Sequence, residues 1–463
     1  MRLHFTRKTA AWLILLGNAV LWLFPSNIVK QIATNRETLL GWYSEEKFSL
    51  QLVLLLISLP IVYVLRASGR EARKRLFRVM AILLVLLPGL AVVDVVARTI
   101  RKPRYMQHEG FRSRPANATW ELVFQDVPEV KRSFPNARAG YPPVRCKLST
   151  DSRGFRNPVA LDRCDILAVG DSFTEGSKVS DDQPWPVLLG RKSGQMVYNV
   201  GMSGSDTQEY LLAFEKIGRA LKPRLVFCMI FEGNDFRGTN ISQNRGRAKP
   251  PRGWRAVEKF FKESPLVPPI RQGLVRLLAP INANGPVFGG DILSWLPIGL
   301  GDPNTRYYAF GPKDLLDLCQ SHEGFAQSRG WKDTAVAISE LSKACRADGA
   351  RLVVVFTPLK SHVILPLVKD YLPADKVRAF AALDGRNLQP ADEFMRKLLA
   401  GLEVRESVLA EFCRQEGIDF VTTTPELREG MAQGRQLYYT YDQHWTPEGH
   451  EVVAEKLFKT VCK

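Results

Sequence analysis

The sequence predicts an α/β fold: a three-layer sandwich in which a mostly parallel sheet of five strands is covered by helices on both faces, preceded by transmembrane helices. Two observations carry this prediction. After residue 160, short apolar runs alternate with helical patterns, and such runs are typical of buried parallel strands. Before residue 100, two long apolar stretches lack the polar face of a helix that lies on a soluble domain. The 463 residues leave room for both parts.

Residues 1–97 are predicted to form a membrane anchor of three transmembrane helices, Thr9–Phe24, Phe48–Leu65 and Leu76–Ala97. The second and third approach or exceed the roughly 20 residues that cross a bilayer. The first is shorter, but Trp12 and Trp22 suit the two membrane interfaces. A cleaved signal peptide is the alternative for this first segment.

Basic residues predict how the anchor is oriented. Six of them crowd the connection between the second and third segments: Arg66, Arg70, Arg73, Lys74, Arg75 and Arg78. Cytoplasmic loops carry such an excess, so this connection is expected in the cytoplasm and everything after Ala97 outside it. Four basic residues just beyond Ala97 count against this orientation. We therefore expect a multi-pass protein of the cell membrane whose main domain lies on the extracytoplasmic (periplasmic) side.

The net charge of +17 does not indicate nucleic acid as a partner. Residues 1–104 hold 16 Lys and Arg against 5 Asp and Glu, whereas the remaining residues hold 48 against 42. The excess therefore flanks the apolar segments, where it sets topology, and no nucleic-acid motif is present. The seven cysteines show neither C-x-x-C nor zinc-knuckle spacing, so we expect no metal and no cofactor. Their pairing in disulfides stays open.

Residues 98–160 are predicted to be a linker and an irregular edge segment, and residues 161–463 the main domain. An insertion at about 236–331, where the alternation fails, suits either sugar stacking near a site or a surface lobe. The predicted strands are Asp165–Val169, Met196–Val200, Leu225–Ile230, Arg351–Phe356 and Asp419–Val421. The predicted helices include Asp206–Ala220, Asp333–Ala347, Ala391–Gln415 and Pro447–Thr460.

The stretch Gly170–Gly176 is the first candidate for chemistry. It follows the first predicted strand, so Ser172 lies at the carboxyl end of a parallel strand, where open α/β sheets expose reactive groups. Serine is a poor nucleophile at neutral pH and needs a general base with an orienting group. Asp442 and His444 can supply both, because residues two apart share one side of an extended segment. The aspartate can orient so near a ring only if the chain bends there.

Acyl transfer also needs hydrogen-bond donors aimed at the developing oxyanion. Gly204 follows the second predicted strand and can present its backbone N–H. Asn234 follows the third and can present its side-chain amide. Both are common turn residues, but both are expected at the sheet edge that carries Ser172.

Further polar residues near these motifs have simpler explanations. His450 is a competing base, yet it shares a helical face with apolar residues and is expected to pack. Lys360 and His362 follow the fourth strand and could overhang the pocket, although a solvated loop is expected for both. Glu175 and Asp235 are expected to be helix-start or turn residues.

Across Asp165–Val461 the chain resembles the GDSL-type, or SGNH, serine hydrolases. Gly170-Asp171-Ser172, Ser203-Gly204, Gly233-Asn234-Asp235 and the Asp442/His444 pair are similar to the four family blocks, in the family order. The resemblance implies a flavodoxin-like SGNH fold with Ser172 as nucleophile, His444 as base and Asp442 as orienting group. It also implies an oxyanion hole built from Ser172, Gly204 and Asn234.

The last block departs from the pattern of most of the family, since one residue rather than two separates Asp442 from His444. Asp442-Gln443-His444-Trp445 is instead similar to the motif of alginate O-acetyltransferase-like relatives, which act on exported polysaccharide. The expected function is a membrane-anchored serine esterase that removes O-acyl groups, such as acetyl, from an extracytoplasmic carbohydrate. The alternatives are an O-acetyltransferase of exported polysaccharide, supplied by a membrane acyl-donor partner, and a non-catalytic glycan-binding or assembly subunit.

Overall fold

The computed structural model describes residues 6–23, 45–100, 105–127, 140–237, 296–298, 306–382 and 387–461. The chain divides into two compact units. One holds the amino-terminal residues up to Lys102, and the other holds the sheet.

The amino-terminal unit is helical. Its helices are α1 (Arg7–Leu23), α2 (Glu45–Leu65) and α3 (Gly69–Ile100). Within the part of the chain that the structure describes, one helix, Gly69–Ala97, is long and apolar enough to cross a membrane, whereas the apolar part of α2 is shorter, Gln51–Leu65. The prediction of three crossings is therefore supported for one helix, and the number of crossings stays a prediction.

Strands form the centre of the second unit. They are β1 (Met106–Gln107), β2 (Arg112–Ser113), β3 (Thr119–Phe124), β4 (Val144–Ser149), β5 (Ile166–Val169), β6 (Val197–Asn199), β7 (Leu225–Phe231), β8 (Leu296–Ile298), β9 (Arg306–Tyr308), β10 (Arg351–Thr357) and β11 (Asp419–Thr422). Five of them form one parallel sheet in the order β11-β10-β7-β5-β6. The predicted α/β fold with five parallel strands is confirmed.

The remaining helices surround this sheet. They are α4 (Ser172–Glu175), α5 (Trp185–Ser193), α6 (Thr207–Ala213), α7 (Pro312–Leu318), α8 (His322–Ala326), α9 (Arg329–Ala347), α10 (Lys360–Val368), α11 (Ala374–Ala381), α12 (Ala391–Ala400), α13 (Val404–Glu416), α14 (Thr424–Ala432) and α15 (Pro447–Val461). Alternate strand residues enter different cores: Ile166 and Ala168 pack with α5 and α15, and Leu167 and Val169 pack with α6 and α9. Both faces are therefore covered, which explains why the strands read as unbroken apolar runs.

The strand order places Ser172 at a branch point. The chain leaves β5 to form β6 on one side of it and returns to form β7 on the other. The crevice outside the carboxyl ends of two such strands is where open α/β sheets bind ligands.

Two helix predictions differ from the structure. The predicted helix Ala391–Gln415 is two helices that are separated at Gly401, where a Cβ would collide with the Leu318 carbonyl. The predicted helix Asp206–Ala220 begins as α6 and continues as a π-helical turn, Phe214–Gly218, and a 3₁₀ turn, Arg219–Leu221.

Residues 98–160 are more regular than the predicted linker and edge segment. Within the described part, β1 pairs with β2 and β3 pairs with β4, each as an antiparallel hairpin. The hairpin pattern was hidden because β1 and β2 have two residues each and a long connection, residues 125–143, separates β3 from β4.

Most of the predicted insertion at 236–331 also lies outside the described residues. Its last part, 306–331, forms β9, α7 and α8, and Tyr308, Leu315 and Phe325 are buried in the two cores. The six cysteines within the described ranges are free thiols.

Candidate functional site

Ser172 is the first residue of the short helix α4. Asp171 caps the helix by accepting the Phe173 N–H at 2.9 Å, and Gly176 ends it in the left-handed region at φ +81°. Gly170 is required before the cap because a Cβ there would collide with the Thr174 side chain. The Gly–Asp–Ser sequence therefore builds a tight turn that leaves Ser172 half-buried at the end of β5.

The loop before α15 brings His444 to Ser172. Nε2 of His444 lies 2.7 Å from Oγ of Ser172, and Nδ1 lies 2.5 Å from Oδ1 of Asp442. The same Oδ1 accepts the His444 backbone N–H at 2.9 Å, so the chain bends as an Asx turn. This bend lets an aspartate two residues away hold the ring.

The residues before this bend, Tyr439–Asp442, are held from two sides. Nζ of Lys360 donates to the carbonyls of Tyr439, Thr440 and Asp442 at 3.0, 2.8 and 2.9 Å. The carboxylate of Asp126, after β3, accepts the N–H groups of Thr440, Tyr441 and Asp442 at 2.6, 2.9 and 3.3 Å. We call this arrangement the Lys360–Asp126 clamp.

Sequence reasoning missed both members of the clamp. Lys360 was expected in a solvated loop, but it is fully buried in the first turn of α10. Asp126 falls in the predicted linker, yet its side chain is buried and it also accepts the Tyr141 N–H at 2.8 Å. No local sequence signal marks either residue, because their partners are distant in the chain.

Lys178 forms a hydrogen bond with the second carboxylate oxygen of Asp442. Its Nζ donates to Oδ2 and lies 4.7 Å from the centroid of the Phe124 ring. Burial lowers the pKa of Lys178 to about 8, and the Asp126 carboxylate opposes this shift. The carboxylate of Asp442 is therefore hydrogen-bonded to both the Lys178 ammonium and the His444 imidazole.

The surroundings of His444 favour its neutral form. Burial and then the Lys178 ammonium lower its pKa to about 4, and Lys360 acts in the same direction. The carboxyl groups of Asp171 and Glu175 oppose the shift. A neutral ring with Nδ1–H donated to Asp442 leaves Nε2 as an acceptor for the Ser172 proton.

Gly204 lies in the loop after β6 with φ +74°. Its carbonyl accepts from the Arg112 guanidinium at 2.6 Å, and within the described ranges no group accepts its N–H. The Met202 N–H donates to the Gly170 carbonyl at 3.0 Å and so ties this loop to the turn that carries Ser172.

Asn234 lies in the loop after β7. Its Nδ2 donates to the Ser205 carbonyl at 3.3 Å and to Oδ1 of Asp235 at 3.2 Å. Both distances are long for N–H···O hydrogen bonds, so the amide is only weakly engaged. The bond to Ser205 joins the loop that carries Asn234 to the loop that carries Gly204.

Glu175 and Asp235 are more than helix-start and turn residues. Glu175 is buried, pairs with Arg114 at 2.7 Å, and accepts the Ser203 N–H at 3.1 Å beside Gly204. Asp235 is buried and accepts the Tyr210 hydroxyl and the Phe231 N–H, each at 2.7 Å. These two carboxylates hold the loops that carry Gly204 and Asn234.

Burial also raises the pKa values of two carboxyl groups in the loops around Ser172, those of Asp171 and Asp235. It raises the pKa of Asp171 to about 6, against the lowering effect of the Phe173 N–H. Burial and then the nearby Asp171 raise the pKa of Asp235 well above its usual range. Two buried carboxyl groups near each other do not easily carry two charges.

His450 does not reach Ser172 and packs as expected. Its Nδ1 lies 3.4 Å from the Trp185 N–H, and its ring meets Trp445 edge to face at 5.4 Å. Burial lowers the pKa of His450 to about 3. His362 is also fully buried, in α10 rather than in the solvated loop that was expected.

The family described as "SGNH hydrolase-like domain, acetyltransferase AlgX" matches residues 320–463. No curated protein sequence matches the chain.

Three solved structures are similar over the same share of the chain. A member of the lipolytic protein G-D-S-L family from Veillonella parvula is 10% identical, covers 64% of this chain and 98% of its own, and has a TM-score of 0.30. A GDSL-like lipase from Bacteroides thetaiotaomicron is 12% identical, with 64% and 86% covered and a TM-score of 0.27. A catalytic mutant of an acetylxylan esterase from Geobacillus stearothermophilus is 11% identical, with 64% and 93% covered and a TM-score of 0.29.

The family match covers the segment that holds the Asp442-Gln443-His444-Trp445 motif. The resemblance to the SGNH/GDSL serine hydrolases that the sequence motifs predicted is therefore confirmed.

Proposed function

We propose that the chain is a membrane-anchored serine esterase that removes O-acyl groups, such as acetyl, from an extracytoplasmic carbohydrate. The observation that carries this proposal is the hydrogen-bonded series from Asp442 through His444 to Ser172, at 2.5 and 2.7 Å. A nucleophile, a base and an orienting carboxylate in this order are the parts that acyl transfer through a serine needs.

In the first half of the reaction, Oγ of Ser172 attacks the ester carbonyl carbon while Nε2 of His444 takes the hydroxyl proton. The N–H groups of Ser172 and Gly204 and the Asn234 amide stabilise the oxyanion. The intermediate then releases the sugar oxygen, which takes the proton from Nε2. The acyl group remains on Ser172 as an ester.

In the second half, water gives a proton to Nε2 of His444 and attacks the acyl carbon. Collapse of the second oxyanion releases the carboxylic acid and returns the proton to Oγ of Ser172. Lys178 and Asp442 hold the imidazole in one orientation through both halves, so the same nitrogen serves as base and then as acid.

A second candidate function is transfer of the acyl group to a polysaccharide hydroxyl. The match of residues 320–463 to a family described by an acetyltransferase favours it. The residues and their roles are unchanged, and a sugar hydroxyl replaces water in the second half. A membrane partner would then supply the acyl donor.

The amino-terminal helices are proposed to anchor the enzyme in several passes, with the sheet domain on the periplasmic side. One apolar helix of sufficient length, Gly69–Ala97, supports the anchor. The basic connection between α2 and α3 supports the orientation. The predicted boundaries at residues 97 and 160 belong to the same proposal.

Replacing Ser172 by alanine should reduce hydrolysis of an aryl acetate by the full chain in detergent by about 10⁴-fold or more, because the nucleophile is lost. A fluorophosphonate should label Ser172, as mapped by mass spectrometry. Ser180→Ala is the matched control, since the Ser180 hydroxyl donates to the Arg145 carbonyl at 3.2 Å. Full activity of Ser172→Ala, or a silent protein that still binds glycan, would refute the esterase.

The acceptor can be identified with an acetyl donor labelled in its acyl group. Incubation of the full chain with this donor and an oligosaccharide should release labelled acetate and leave the oligosaccharide unlabelled. Label on the oligosaccharide that disappears with Ser172→Ala would instead establish the transferase and overturn hydrolysis.

Lys178→Met should move the acid limb of the pH–rate profile to higher pH. Activity requires neutral His444 and is lost as the pH falls through its pKa, which the Lys178 ammonium helps to hold near 4. Without this cation, burial and Lys360 still lower the pKa, but the carboxyl groups of Asp171 and Glu175 are opposed by one ammonium fewer, so the pKa rises. The rate at pH 5 relative to pH 7.5 should therefore fall.

Lys192→Met serves as the control for that profile, because Lys192 is 43% exposed and pairs with Glu455. The maximal rate of Lys178→Met should also fall as Asp442 loses a partner. An acid limb at the same pH in both variants would contradict the electrostatic role of Lys178.

The orientation of the chain in the membrane can be tested by fusing alkaline phosphatase to it as a reporter, because this enzyme folds only where disulfides form. Fusion after residue 104 should give an active reporter, and fusion within residues 66–78 an inactive one. The reverse pattern would place the sheet domain in the cytoplasm.

A further inference from the structure

A second group of polar side chains lies at the carboxyl edge of the sheet. His362 is in the first turn of α10, which follows β10, and Glu232 directly follows β7. Glu403 and Glu406 lie at the start of α13. The proposed serine chemistry does not use these four residues.

Glu232 fixes the imidazole of His362. Its Oε2 lies 2.9 Å from Nδ1 and also accepts the Leu359 N–H at 2.8 Å, and both side chains are fully buried. Nδ1 therefore carries a hydrogen, and Nε2 is turned toward Glu403 and Glu406. Histidines that bind metals are commonly oriented by a carboxylate in this way.

Nε2 of His362 has no hydrogen-bond partner among the described residues. Oε2 of Glu403 lies 3.5 Å from this nitrogen. A charge-assisted hydrogen bond would be about 2.7–2.9 Å long. In contrast, two ligand atoms at about 2.0–2.2 Å from one tetrahedral cation are roughly 3.3–3.6 Å apart.

A third donor, Glu406, lies close to this pair. One ligand atom each from His362, Glu403 and Glu406 lies within 4.8 Å of the others. The Thr424 hydroxyl donates to Oε2 of Glu406 at 2.6 Å, and Arg428 donates to Oε1 of Glu403 at 3.1 Å. These bonds orient the carboxylates and leave the other oxygen of each for a cation.

We propose that His362, Glu403 and Glu406 bind a divalent transition-metal cation of the Zn²⁺ type through one nitrogen and two oxygens. Imidazole with carboxylates suits this class of metal, and water fills the fourth position. The Glu403 side chain is 59% exposed, which gives the cation a route from solvent.

The cation acts as a structural tie between α10 and α13. Lys360 is two residues before His362 in α10, so a cation bound there also stabilises the helical turn whose Lys360 binds residues Tyr439–Asp442. The site does not depend on the serine chemistry, and its test does not require activity.

The test uses the full chain in detergent, stripped with a chelator and then titrated with ZnCl₂, with CaCl₂ as a comparison. We expect one zinc per chain by atomic absorption and a higher Tm with zinc but not with calcium. Glu403→Gln and Glu406→Gln should each weaken zinc binding at least about tenfold. Glu411→Gln, at an exposed position on the same helix, should bind zinc like the parent.

The alternative occupant of the site is a proton on Nε2, which makes His362 an imidazolium between Glu232 and Glu403. In that case zinc leaves the Tm unchanged, while Glu403→Gln lowers it without any metal. This result, or zinc bound equally tightly by both Gln variants, would overturn the metal site and leave the proposed esterase unaffected.

Discussion

The geometry at Ser172 depends on how the residues Tyr439–Asp442 are held. Buried backbone groups must find partners, and this segment finds most of them in two charged side chains rather than in a strand or helix. Lys360 takes three of its carbonyls and Asp126 takes three of its N–H groups, so the segment is fixed from both sides. Asp442 is the last residue of the segment, and its carboxylate in turn sets the ring that faces the serine.

The site is built from charges in a low-dielectric setting. The Glu175–Arg114 pair supports the loop of Gly204, and Asp442 is divided between Lys178 and an imidazole. Such contacts are strong when every member is paired and costly when one is removed. Burial, aided by the Lys178 ammonium, lowers the pKa of His444 and keeps its imidazole neutral, which is the form that can accept a proton from a hydroxyl.

Local pattern was sufficient for the sheet and for the motif residues. Strands β5, β7 and β10 are buried on both faces, so their apolar runs mark the strand ends to within about one residue, as for Arg351–Thr357. Ser172, His444 and Asp442 lie within hydrogen-bond distance of one another in series, and their catalytic roles stay a prediction. Asp126 was not foreseeable, because its role arises from contacts more than 300 residues away.

The hairpin of β3 and β4 has a practical consequence for anyone who shortens this protein. A fragment that starts at the first strand of the sheet would retain every family motif and look complete by alignment. It would nevertheless lack the anion that caps Thr440, Tyr441 and Asp442. Grafting or trimming of this protein should therefore keep that upstream hairpin together with the candidate site.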